Sequence, residues 1–248
     1  MIHQLLLRIQ DALIESTKPS RDSTSVGGFE VMLTPSDPLV WINYAVPVAS
    51  ASLAGIDEMV AVFRDAGRVP RLEFFVSLWP EVATRLEEKG FRCEKRMPIM
   101  VLERSNWRGL DHEHDVRPVD YSTYSSMNLT LAEAFGGEAP EESDPYDDPS
   151  FQRIMAGKSL ASVVLADGKV VGAGFGIGTE QVREIAGIGT LKAYRQKGIA
   201  SAVIADLLDR FFGEGGEVAW LTPGDEGAQS VYARLGFVPV AEQVVYEL

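Results

Sequence analysis

The chain has 248 residues, 46% of them hydrophobic and 24% charged. That is the balance of a globular protein with a sizeable core, long enough for one large domain or two small ones. Its 36 acidic residues against 23 basic ones, a net charge of -13, exclude the broad basic face that a nucleic-acid partner needs. The acidic surface suits a cationic or amine substrate by steering, although solubility alone accounts for it equally. Cys93 is the only cysteine, which excludes an intrachain disulfide and a thiolate metal cluster and makes a reducing, cytoplasmic setting the default expectation.

The first segment, MIHQLLLRIQDALIES, carries Ile2, Leu5, Leu6, Ile9 and Leu13 at helical spacing. Arg8 and Asp11 interrupt it and no small-residue cleavage site follows, so it reads as an amphipathic helix rather than a signal peptide. No run along the chain approaches the apolar length of a membrane span. Residues 18–28 are polar and rich in breakers, a loop or short linker. Strands are expected at 39–49, 71–78 and 96–103, and helices at 56–67 and 80–91, the second closed by Gly90. Residues 104–115 form a polar joint.

The second half opens with a short strand at 115–119 and a helix at 121–135. The acidic, Pro-rich stretch 136–149 reads as a loop, and 150–157 as a short helix. Residues 159–178 are a hairpin turning at Asp167-Gly168. A strand at 182–191 leads into a helix that ends near Gly213. A strand at 217–223, a helix at 226–237 and a strand at 241–248 complete the order.

The two halves share a period. Gly90-Phe91 and Gly236-Phe237 both end a helix, and their phenylalanines lie 237 − 91 = 146 positions apart. The same offset pairs Leu72 with Val218 and Leu102 with Leu248, so strand, helix, strand, helix and strand recur in one register. That is an internal repeat, two copies of one fold with the first truncated at its front.

The glycines of VVGAGFGIG (170–178) imitate a dinucleotide fingerprint, but they fall at 172, 174, 176 and 178 and lead into a strand. G-x-G-x-x-G would need glycine where Ile177 stands, and a helix after it. Alternating glycines instead keep one face of a strand bare for close approach of a backbone or a ligand. The stretch LKAYRQKGIASAVIADLL (191–208) carries more chemistry. A strand runs into AYRQKG, and a helix begins at about Ile199. Unpartnered backbone N–H groups and the helix dipole at such a junction make an anion site. Gly198 permits close approach, Ala200 keeps the first turn narrow, and Arg195 and Lys197 add charge. No Walker A loop is present.

RQKGIA (195–200) resembles the [R/Q]-x-x-G-x-[G/A] pyrophosphate loop of the GNAT superfamily of N-acetyltransferases. DEGAQSVYARLGF (225–237) resembles that family's N-x-x-A-x-x-x-Y-x-x-x-G-F ending at Ala228, Tyr232, Gly236 and Phe237, with Asp225 where asparagine is usual. The resemblance spans residues 115–248. It implies an α/β (α+β) fold, a GNAT-like mixed and mostly antiparallel sheet flanked by helices, which the internal repeat extends to two tandem copies. It implies acetyl-CoA as acetyl donor. The backbone of Ile188, Gly189 and Thr190 would pair with the pantetheine arm, and Arg195, Gln196, Lys197, Gly198, Ile199, Ala200 and Ser201 would cradle the pyrophosphate, with Asp225 at the cofactor as well.

The resemblance also implies that Tyr232 protonates the departing thiolate. A phenol of pKa ~10 stays protonated at neutral pH and can serve a thiolate whose conjugate pKa is ~8.5; the plainer alternative is a tyrosine packed at a core edge. An acceptor amine of pKa ~10 is only about one part in a thousand neutral at pH 7, so a base must take its proton. Glu184 is the candidate, directly or through water, and a solvated strand-end carboxylate is the equal alternative. His112 and His114, in HEH, have no third ligand near them in sequence and read as surface, so no metal is expected.

At the 146 offset, 49–54 (ASASLA) stands against RQKGIA and Leu86 against Tyr232. Arginine, glycine and tyrosine are all replaced. The expected domains are therefore 1–110, a degenerate GNAT-like copy without the cofactor motif, and 111–248, the catalytic N-acetyltransferase. The expected acceptor is a small-molecule or peptide amine, and a homodimer is left open. A non-catalytic acyl-CoA-binding or sensor protein and a structural dimerisation module are the alternatives.

Overall fold

A computed structural model describes residues 2–35, 40–49, 51–141 and 143–248. Leu39 of the expected strand 39–49, Ser50 of the segment 49–54 and Glu142 of the acidic loop lie outside them. The chain divides into two compact units. The first comprises Met1–Met100, Thr222–Gly224 and Pro239–Leu248, and the second Val101–Leu221 and Asp225–Val238. The units are thus not simple sequence halves, because the last strand of the chain belongs to the first. Among the described residues, no helix is long and apolar enough to cross a membrane.

In the first unit the helices are α1 (Ile2–Thr17), α2 (Leu53–Asp65) and α3 (Pro80–Glu88). The strands are β1 (Asp22–Val26), β2 (Phe29–Leu33), β3 (Tyr44–Pro47), β4 (Arg71–Phe75), β5 (Arg92–Glu103) and, from the far end of the chain, β11 (Val238–Glu247). They lie in the order β1-β2-β3-β4-β11-β5. Pairing is antiparallel in β1–β2, β2–β3 and β4–β11 and parallel in β3–β4. Ile56, Met59, Val60 and Phe63 of α2 recur at helical spacing and are buried with Val31, Leu72 and Tyr246 of the sheet. Alternate strand residues, Met32, Tyr44 and Val46, form a separate cluster with Leu13 and Ile14 of α1, as the two-residue period of a strand requires.

Two expectations are corrected in this unit. Residues 22–26, expected as loop, form β1, whose residues DSTS are exposed. An edge strand is held by backbone pairing with its neighbour, here the fully buried β2, and needs no apolar side chains. The expected strand 39–49 shortens to β3, because Val40–Ile42 make a 3-10 turn. Buried Asn43 follows that turn, and its side-chain oxygen accepts from the Thr34 amide at 2.7 Å.

The second unit holds β6 (Asp115–Pro118), α4 (Tyr121–Phe135), α5 (Pro149–Met155), β7 (Ser159–Ala166), β8 (Lys169–Gly178), β9 (Val182–Thr190), α6 (Ile199–Gly213), β10 (Val218–Leu221) and α7 (Glu226–Arg234). Strand order is β10-β9-β8-β7-β6, with β6–β7, β7–β8 and β8–β9 antiparallel and β9–β10 parallel. The β7–β8 turn falls at Asp167 and Gly168, both with positive φ, as the Asp-Gly pair predicts. Ala173 packs with Met127 and Leu131 of α4. Its neighbours face the other way: a Cβ on Gly172 would run into Ile199 of α6, and one on Gly174 into Ile188 and Val203. The bare strand face is therefore filled by protein side chains.

The repeat is visible in the element boundaries. α6 and α2, α7 and α3, and β11 and β5 begin at equal offsets (199 − 53, 226 − 80 and 238 − 92 are each 146). The fold is a mixed α/β fold with a mostly antiparallel sheet flanked by helices.

Candidate active site

Strand β9 determines the site. Ala173 of β8 stands opposite Gly189, but Phe175 stands opposite Ala186, so β9 carries one extra residue between them. Gly187 takes it up with φ +60°, the left-handed conformation of a β-bulge. On its other edge, β9 pairs in parallel with β10 only from Val182 to Glu184. Past that point the strand continues to Thr190 while β10 ends at Leu221. The backbone of 188–190 thus borders a cleft, and an extended ligand can use it as a partner strand.

The loop that follows makes the 3-10 turn Lys192–Tyr194 and then two left-handed residues, Gln196 at φ +62° and Gly198 at φ +81°. Gly198 is the N-cap of α6 and offers no side-chain cap; the first helical bond runs from Ala202 N–H to Gly198 C=O at 3.0 Å. The amides of Ile199, Ala200 and Ser201 therefore have no intrahelical acceptor, and the dipole adds to them.

A cavity of about 1030 Å³ opens there, walled by Ala134 and Phe135 of α4, residues 188–190 of β9, the loop and first turn of α6, and Asp225, Ser230 and Arg234 from α7 and its cap. That is at the upper end of the ~300–1,000 Å³ range of ligand sites. Gly189 is required by close packing, since a Cβ there would lie 2.7 Å from Leu131 and 3.2 Å from Ala134.

Of the expected residues, the cavity brings together Ile188, Gly189, Thr190, Arg195, Gln196, Gly198, Ile199, Ala200, Ser201 and Asp225. Arg195 gives two of its N–H groups to the protein: Nε donates to Thr190 O at 3.1 Å and Nη2 to Ala134 O at 3.0 Å. The Lys197 ammonium lies 5.2 Å from the centre of the Tyr194 ring, and Lys197 is not among the lining residues. Asp225 caps α7, its Oδ1 accepting from Ala228 N at 2.7 Å; asparagine would cap as well, so the aspartate keeps the cap and adds a charge.

Tyr232 is half-buried, with its ring edge-on to Phe237 at 6.2 Å. It does not line the cavity. Burial, and after it the Asp225 charge, push its phenol above the ordinary value. Glu184 is half-buried on β9, opposite Trp220 of β10 and Ile177 of β8, at the last position that pairs with β10. It too stands outside the cavity lining.

The sequence reading missed three contributors. Phe135 is 64% exposed at the end of α4 and lines the cavity. Arg234 also lines the cavity, at a position of YARLGF that the family pattern leaves unspecified. His114 presents Nε2 at 2.8 Å to the carbonyl oxygen of Lys197; no periodicity or spacing links positions so far apart in the chain.

The acetyltransferase (GNAT) family matches residues 126–237. In fold the chain is similar to a GCN5-related N-acetyltransferase from Kribbella flavida, at 23% identity and a TM-score of 0.80 over 98% of this chain and 95% of that one. It is similar to a GCN5-related N-acetyltransferase from Sphaerobacter thermophilus at 14% identity and a TM-score of 0.64, over 90% and 80%. A tandem GNAT protein from the clavulanic acid biosynthesis pathway matches at 11% identity and a TM-score of 0.63, over 100% and 87%. No curated protein matches the chain. The bulge, the parted strands and the glycine-opened helix all fall within the residues that match the acetyltransferase (GNAT) family.

Proposed function

We propose that residues 111–248 transfer the acetyl group of acetyl-CoA to an amine by direct attack, and that residues 1–110 are a degenerate copy without a cofactor site. The observation that carries the reading is the uncapped first turn of α6 behind left-handed Gly198, at the end of a strand whose pairing with β10 has stopped. Those amides suit a pyrophosphate, and the backbone of Ile188–Thr190 suits the amides of a pantetheine arm. When bound, acetyl-CoA supplies a thioester open to attack. Glu184 takes the proton of the amine, directly or through water, and Tyr232 gives its proton to the leaving thiolate. A second cavity of about 340 Å³, beside Tyr124, Asn128 and Glu141, supports a small cationic acceptor.

In the first unit the counterpart of Gly198 is Ser52. Its hydroxyl caps α2 by accepting from Gly55 N at 3.0 Å. A Cβ on Gly55 would collide with the Gly27 backbone, and one on Gly27 with Gly55. The Gly55 amide is thus taken by the cap, and the Gly27 backbone packs against the same turn. A binding-only acyl-CoA sensor is the alternative, and the absence of Tyr232 from the cavity lining favours it. Thiol release from acetyl-CoA across an amine library, with calorimetric stoichiometry, is the test. Turnover with some amine and one acetyl-CoA per chain supports the proposal. Binding without turnover supports the sensor, and two sites per chain would refute the degenerate copy.

A further inference from the structure

We propose that His114 is a positioning residue for the cofactor loop, acting through the Lys197–Gly198 peptide; the inference rests on the cofactor reading above. His114 lies just before β6, an edge strand that pairs with β7. Its partly buried imidazole reaches across to the loop, with Nε2 2.8 Å from the Lys197 carbonyl oxygen. A carbonyl only accepts, so Nε2 carries the proton, as it does in the imidazolium and in one neutral tautomer.

Lys197 stands between Gln196 and Gly198, both left-handed. Glycine adopts either sign of φ at little cost, so the peptide joining 197 to 198 is the part of the loop most free to turn over. In a planar trans peptide the C=O and the following N–H point in opposite directions. Holding the Lys197 carbonyl on His114 therefore aims the Gly198 N–H away from His114. Gly198 lines the cavity and His114 does not. The imidazole thus braces the loop from behind and turns an amide toward the bound anion, alongside the first-turn amides of α6. It also stands close to the glycine: a Cβ on Gly198 would come within 3.4 Å of Nε2.

The experiment measures acetyl-CoA and CoA affinity by calorimetry, with thermal unfolding, for wild type, His114→Ala and His114→Gln in the full chain. Glutamine places an N–H donor at about the reach of Nε2. His114→Ala is expected to weaken both ligands about 3- to 10-fold, the effect of one hydrogen bond, with an unchanged unfolding midpoint, and His114→Gln to restore most of the affinity. Alanine binding as tightly as wild type, or glutamine as weakly as alanine, would overturn the role of His114 while leaving the cofactor reading in place. Failure of the wild type itself to bind either ligand would overturn that reading, and this inference with it.

Discussion

The Arg195 guanidinium donates from Nη2 to the carbonyl oxygen of Ala134, in the last turn of α4, at 3.0 Å. The same side chain donates from Nε to Thr190 O, at the end of β9, at 3.1 Å. One cation therefore meets the negative end of the α4 dipole and joins the two walls of the cavity that these elements supply.

Arg195→Ala removes both bonds. Weakening of acetyl-CoA binding by about tenfold is expected, the scale of an exposed charge-assisted pair. Arg195→Lys should recover little, because an ammonium lacks the planar fork that serves two carbonyls at once. Calorimetry on the two variants checks this, and full recovery by lysine would mean that charge alone matters.

Gly198→Glu should abolish acetyl-CoA binding and leave the fold intact. At φ +81° a side chain costs about 1–2 kcal/mol, and a carboxylate would stand among amides arranged for an anion. Unchanged affinity would mean that the phosphates lie elsewhere; circular dichroism verifies folding.

Tyr232→Phe should lower turnover by ~10²-fold or more, with little change in acetyl-CoA affinity. Burial and the Asp225 charge hold the phenol above its ordinary value, so it remains a proton donor throughout neutral and mildly alkaline pH. Asp225→Asn should bring any alkaline limb of the pH–rate profile to lower pH. Full turnover by the phenylalanine variant would make Tyr232 a packing residue.

Tyr124 gives a pH signature in stability. Its hydroxyl donates to Asp148 at 2.7 Å, and burial followed by that carboxylate raises its pKa from 10.0 to about 12. The folded state then holds a proton that the unfolded state releases, so this contribution is complete below the unfolded pKa and is lost as pH rises through about 12. Urea denaturation across that window should show the decline in wild type and a shallower one in Tyr124→Phe.

Gly174→Val should destabilise by about 1–3 kcal/mol through overpacking. Its Cβ would meet Ile188 and, at 3.0 Å, Val203 of α6. A thermal midpoint equal to wild type would mean that helix and strand part more readily than their contacts imply.

The sequence by itself determined the order of elements in the second unit, the Asp-Gly turn, the repeat offset and the glycine at the mouth of α6. These are local properties: side-chain period, turn chemistry and spacing act over a few residues and survive in a linear reading. Tertiary structure decided the rest. β1 is a strand because β2 pairs with its backbone, which its polar side chains do not announce. β11 closes the first unit beside β4, although it ends the chain. Arg195 turns to two carbonyls, and His114 braces the Lys197 peptide. Each depends on a hydrogen bond between residues brought together only by folding, and sequence pattern carries no record of which distant carbonyl or strand will be within reach.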